Sequence, residues 1–166
     1  MKQFLMFMLL GVAVSSLNAA DTNKTAIPGT DDLSRHVAAA GKPGDRTTLR
    51  DASGRTLGTA STVGSATTFR DPAGRTTGTA NVEGKRTVFR DASGRMTGTA
   101  TPSGQQTTYR DAAGRTQTTA SEVRDRTTFR DSSGRQTTTV QSAGTTATAR
   151  DASGRVTATT SAVRPK

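Results

Sequence analysis

Apolar side chains are sparse along this chain and evenly placed: Leu49, Phe69, Phe89, Tyr109 and Phe129 stand 20 residues apart, each followed by an arginine, and Ala149 holds the sixth place. Glycine keeps half that period, at Gly54, Gly64, Gly74, Gly84, Gly94, Gly104, Gly114, Gly134, Gly144 and Gly154, with Arg124 and Arg164 as the departures. Three residues before nearly every glycine stands Asp, Ser, Asn or Thr. Such a side chain bonds the backbone ahead of it, and a glycine at the fourth place accepts a positive φ without steric cost. The pattern predicts a reversal every ten residues through a three-residue loop, a type I turn closed by a glycine bulge. About twelve short antiparallel strands follow, and threonine, at 30 of residues 46–165, suits strands better than helices.

Aligned at a period of 20, residues 46–165 form six units starting at Arg46, Ala66, Arg86, Gln106, Arg126 and Thr146. Five positions are constant: those of Arg50, Asp51, Gly54, Arg55 and Thr59. The turn set is therefore Asp51, Gly54, Arg55; Asp71, Gly74, Arg75; Asp91, Gly94, Arg95; Asp111, Gly114, Arg115; Asp131, Gly134, Arg135; and Asp151, Gly154, Arg155. If every reversal is a three-residue loop, Asp51 pairs with Arg55 and Ser61 with Ser65, and all odd positions share one face. That face would carry an Asp/Arg row of alternating sign, the Leu/Phe/Tyr row, and a threonine row from Thr47, Thr59, Thr67 and Thr79 to Thr159. The even face would carry Arg50, Arg70, Arg90, Arg110, Arg130 and Arg150, with Gly58, Gly78, Gly98, Ala60, Ala80 and Ala100 beside them. A four-residue loop would instead set Arg50 against Arg55, two like charges.

The fold class expected is all-β: an antiparallel β-hairpin repeat array, a meander coiled or solenoid-like as a single sheet. Leu, Ile, Val and Phe number only 23 in 166 residues, a composition usual in disordered chains. The coherence of the repeat argues for order. With so little apolar material the sheet must coil on itself, pair with another copy, or rest on many cross-strand terms.

The first 20 residues, MKQFLMFMLLGVAVSSLNAA, have a basic start at Lys2, an apolar run and small residues at Ala19 and Ala20, the pattern of a secretory signal peptide. Residues 21–45 read as a leader, with a possible short helix at 31–40 stopped by Gly41 and Pro43. Removal of the signal leaves 22 basic against 13 acidic residues, a net charge of +9, and no later apolar segment to span a membrane. That charge favours acidic partners, an anionic cell-envelope polymer or lipopolysaccharide, and self-association is a further possibility. Nucleic acid is disfavoured by export and by the few aromatics available for stacking.

No cysteine is present, which excludes disulfide scaffolds, thiol chemistry and zinc ribbons, and His36 is the single histidine. No glycine-rich phosphate loop opens a helix, and each repeated Asp has an Arg neighbour, so no catalytic residue, metal site or cofactor is expected. The six arginines from Arg50 to Arg150 are the candidate polyanion-binding row, since each offers a forked donor to phosphate or carboxylate.

The string D-x-x-G-R, as in Tyr109-Arg110-Asp111-Ala112-Ala113-Gly114-Arg115, resembles the YD or Rhs repeat of bacterial secreted and surface proteins. Here the aromatic stands two before the Asp, with Arg110 between them. That family builds β-strand spirals and shells, often around toxin or adhesin cargo. The resemblance implies hairpin repeats in a protein exported to the periplasm or surface of a bacterium. An exported repeat protein with a structural or surface-binding role is the leading expectation. The alternatives are an ice-binding protein using the threonine row and a toxin- or phage-associated Rhs-like fragment.

Overall fold

A computed structural model of the chain describes residues 46–163 together with Gly44. The signal segment, the leader with its 31–40 helix and His36, and Arg164 lie outside the described residues. Twelve strands follow one another: β1 (Arg46–Asp51), β2 (Thr56–Val63), β3 (Ala66–Arg70), β4 (Thr76–Glu83), β5 (Arg86–Asp91), β6 (Met96–Ser103), β7 (Gln106–Asp111), β8 (Thr116–Val123), β9 (Arg126–Asp131), β10 (Gln136–Ala143), β11 (Thr146–Asp151) and β12 (Val156–Val163). Each pairs antiparallel with its chain neighbours. The meander then closes, because β12 returns to β1 with Arg46 opposite Val163 and Asp51 opposite Ala158.

Closure corrects the expectation of an open coiled or solenoid-like sheet. An open meander of twelve strands leaves two unpaired edges and one half-apolar face, and a barrel removes both. The register makes closure possible. Thr48 faces Thr59, and Thr59 faces Arg70, two residues beyond the repeat-equivalent Thr68; the last hairpin repeats this step, with Thr146 facing Ser161 and Ser161 facing Thr48. Six such steps give a stagger of 12 residues around 12 strands. Equal stagger and strand number tilt the strands by roughly 36°, as in the eight-stranded barrel with shear eight.

The two kinds of turn differ in a way that the uniform glycine period conceals. At the Asp turns, Gly54 N donates to Asp51 O at 3.0 Å and Asp51 N to Arg55 O at 2.9 Å, the expected three-residue loop, with Gly54 at φ +84°. The intervening turns are two-residue loops instead, since Val63 pairs directly with Ala66. Gly64, Gly84, Gly104 and Gly144 stand at φ 59–63° and the residues after them have negative φ, which is the type II′ turn. A second bulge follows every Asp turn: Arg50 faces Thr56 but Leu49 faces Gly58, leaving Leu57 as the extra residue, and each of the other five hairpins repeats the shift.

That bulge flips the second strand of each hairpin, so odd positions of odd-numbered strands share the lumen with even positions of even-numbered strands. Two expectations change. Gly58, Gly78, Gly98, Ala60, Ala80 and Ala100 do not flank the Arg50 row but face into the barrel across from the aromatics, with Phe69 between Ala60 and Gly78. The threonine row divides: Thr47, Thr67, Thr87, Thr107 and Thr127 are buried on the lumen side, whereas Thr59, Thr79, Thr99, Thr119, Thr159 and the buried Thr139 stand on strands whose even positions point inward.

Inside, Leu49, Phe69, Phe89, Tyr109 and Phe129 are 0–6% exposed and form one cluster with Ala60, Ala80, Ala100, Ala120, Val140, Ala149 and Ala158. Tyr109 and Phe129 tilt together with ring centroids 6.3 Å apart. Large residues on odd-numbered strands thus interdigitate with small ones on even-numbered strands, and the closeness is steric. A Cβ on Gly98 would lie 2.4 Å from the Arg110 carbonyl oxygen. Eight strands make a lumen that side chains just fill, and width grows with strand number.

Candidate functional site: the arginine rim

All six Asp turns gather at one end of the barrel, because each links an odd-numbered strand to the next. Within each loop the carboxylate organises the backbone. Asp51 Oδ1 accepts from Ser53 N at 2.9 Å, Ser53 Oγ at 2.6 Å and Arg55 N at 2.9 Å, and Asp91, Asp131 and Asp151 repeat this with Ser93, Ser133 and Ser153. Where the serine is absent, Asp71 takes the Arg75 Nε at 2.8 Å and Asp111 takes Gln117 Nε2 at 3.1 Å.

These donors hold all six carboxyls below the ordinary carboxylate range. The serine hydroxyl is the main cause at Asp51, Asp91, Asp131 and Asp151, the Arg75 guanidinium at Asp71, and the Arg115 backbone N–H at Asp111. All six are ionised at neutral pH.

The constant arginine before each Asp has a local task that the sequence does not reveal. Arg50 Nη1 reaches over its own loop to donate to Gly54 O at 2.9 Å and Thr56 Oγ1 at 3.2 Å. Arg70 and Arg110 make the same pair of bonds, to Gly74 and Thr76 and to Gly114 and Thr116. Arg90, Arg130 and Arg150 keep the glycine bond, at 3.2, 3.2 and 3.0 Å, where Met96, Gln136 and Val156 replace the threonine. The period shows the threonine in only three of six units, too thin a signal to disclose the clamp. Arg50, Arg70, Arg110, Arg130 and Arg150 are exposed on the outer wall, and Arg90 is half-buried.

The second arginine of each loop reaches further out. Arg55, Arg75 and Arg135 have side chains 80–83% exposed and lie 3.8, 2.8 and 3.6 Å from the carboxylates of Asp51, Asp71 and Asp131. The expected continuous row of alternating charge resolves into separate pairs. Among the described residues, ion pairs at the rim join partners within one loop and none crosses to the next.

The charge is distributed unevenly along the barrel. The Asp-turn rim carries two arginines and one aspartate per loop, a net +6 over six loops. At the other end, Arg46, Lys85, Arg86, Arg124 and Arg126 stand against Glu83, Glu122 and Asp125, a net +2 among the described residues. No group of three or more His, Cys, Asp or Glu among the described residues is placed to hold a metal ion, and no helix there is long and apolar enough to cross a membrane. A scan of family models and searches of curated proteins and solved structures found no match to this chain.

Proposed function

We propose that the protein is an exported, rigid β-barrel with a surface-binding role, which engages polyanions of the cell envelope through Arg50, Arg70, Arg90, Arg110, Arg130 and Arg150. The observation that supports this reading is the clamp. Nη1 of each guanidinium is tied to its own loop, so the side chain is held in place, and five of the six arginines are exposed, with Arg90 half-buried. An arginine fixed before binding loses less rotamer freedom on meeting a phosphate or carboxylate. Six equivalent groups give multivalent contact without any one tight site.

The buried lumen and the Thr/Arg outer wall also weigh against a lipid-embedded barrel, which carries its apolar band outside. Ice binding through the threonine row loses its continuous surface, because five of those threonines are inside.

Binding to immobilised heparin or lipopolysaccharide, measured across a salt series, tests the proposal. Affinity should fall steeply with salt, and Arg→Gln substitution at Arg70, Arg110 and Arg150 should flatten that dependence. Binding that is indifferent to salt and to these substitutions overturns it.

A further inference from the structure

Barrel closure changes what the arginines can meet. In an open sheet they would form a straight row suited to an extended chain. In the closed barrel the two-residue advance per hairpin offsets the strand tilt, so equivalent loops stand at the same height around the axis. Successive loops are roughly 11–12 Å apart, from two strand spacings across and two residues along. A linear polyanion following this ring would have to bend through a full circle around one small barrel. A flat anionic surface meets all six loops at once.

We propose that the Asp-turn end of the barrel docks end-on against a planar array of phosphate headgroups, an anionic lipid surface. The contact residues are the loop-tip arginines Arg55, Arg75, Arg95, Arg115, Arg135 and Arg155. Their role so far is that of turn residues. Their side chains, where an ion pair reports them, are 80–83% exposed, against 16–30% for the Asp partners beneath. The rim therefore shows its positive charges outward and its negative charges inward. Among the described residues the opposite end is far less complementary to such a surface: its net charge is +2 and it exposes Val63, Val123 and Val163. A headgroup plane thus selects one end, and the barrel stands upright on it.

The inference rests on the polyanion reading and is tested so that the two can fail separately. Sedimentation of the full chain with vesicles of phosphatidylcholine, with and without phosphatidylglycerol, is compared with binding to heparin, a linear polyanion. Two triple variants carry the same change in net charge. One is Arg95→Gln/Arg115→Gln/Arg155→Gln at the rim, chosen because no ion pair within the described residues holds those side chains. The other is Arg46→Gln/Arg86→Gln/Arg126→Gln at the far end. Far-UV circular dichroism checks that both remain folded. Each charge near an anionic surface contributes about fivefold, so the rim triple should lose roughly 100-fold in vesicle affinity while the far-end triple changes by no more than a few-fold. Equal losses in the two triples overturn end-on docking, since net charge alone would then account for binding. Heparin binding without vesicle binding also overturns it and leaves the polyanion reading standing. Failure to bind either probe overturns both.

Discussion

Thr87→Val should stabilise the protein, although it removes a hydroxyl from a fold built largely of threonine. Thr87 is 0% exposed in the lumen, and its Oγ1 has no hydrogen-bond partner. One hairpin earlier the equivalent Thr67 hydroxyl lies 3.0 Å from that of Thr62, directly across the strand pair. Opposite Thr87 the chain places Val82, which offers no acceptor. A buried polar group left unpaired costs about 1–3 kcal/mol, and valine fills nearly the same volume. Thr87→Val is therefore expected to add about 1 kcal/mol, or about 3–4 °C in Tm for a domain of this size. Thr67→Val should destabilise by a similar amount, because it orphans Thr62, which is 9% exposed. Val82→Thr should recover part of the Thr87 gain by supplying the missing partner, and combining it with Thr87→Val should forfeit that gain. Thermal denaturation followed by circular dichroism reads all four variants. If Thr87→Val and Thr67→Val shift Tm in the same direction, the assignment of these threonines to the lumen is wrong.

Three other outcomes follow from the turns and the rim. Arg124 stands at φ +59°, where every equivalent turn has glycine; the left-handed region costs a side-chain-bearing residue about 1–2 kcal/mol, so Arg124→Gly should stabilise the fold by about 1 kcal/mol, seen as a higher urea midpoint. Gly98→Ala should destabilise by at least 2–4 kcal/mol, roughly the scale of a severe core change, because the new Cβ would meet the Arg110 carbonyl at 2.4 Å and backbone must shift; the loss appears in the urea midpoint. Each repeat Asp has a folded pKa below its unfolded value of about 3.9. Their contribution is thus fully present above that value and is lost as pH falls through it toward the folded values. Urea midpoints should be flat from pH 7 to 5 and fall from pH 4 to 2; a midpoint that rises in that acid window refutes the carboxylate account.

The elements were legible from the chain because turn residues announce themselves: Asp51, Gly54 and Arg55 encode the three-residue loop that the structure contains. Two things escaped. The glycines at Gly54 and Gly64 look alike in sequence, yet they occupy φ +84° and φ +59° in different turn types, since both conformations need only the absence of a Cβ. The bulge after each Asp turn carries no residue of its own, being filled by Leu57, Thr77, Thr97, Gln117, Thr137 and Thr157. One such residue per hairpin reverses which side chains face inward. Closure was out of reach for a related reason: it depends on a stagger accumulated over six hairpins, and no single repeat holds it. At the candidate site, the positions of Arg50 and its equivalents were evident from the period. Their bond to the glycine carbonyl was not, because a backbone acceptor leaves no trace in sequence.

Closure of β12 onto β1 carries the central claim, and a disulfide tests it most directly. The chain has no cysteine, so Thr48→Cys/Ser161→Cys places the only two thiols at facing positions of β1 and β12. Antiparallel partners lie about 4.5–5.5 Å apart, within disulfide reach. Oxidation of the monomer should consume both thiols and raise stability by up to about 4–5 kcal/mol, the scale for a loop of roughly 100 residues. An open twelve-strand sheet would hold these positions roughly 50 Å apart at the ordinary strand spacing. Two free thiols in the oxidised monomer, or disulfides found only between chains, would contradict the closed barrel and with it the ring of arginines at its rim.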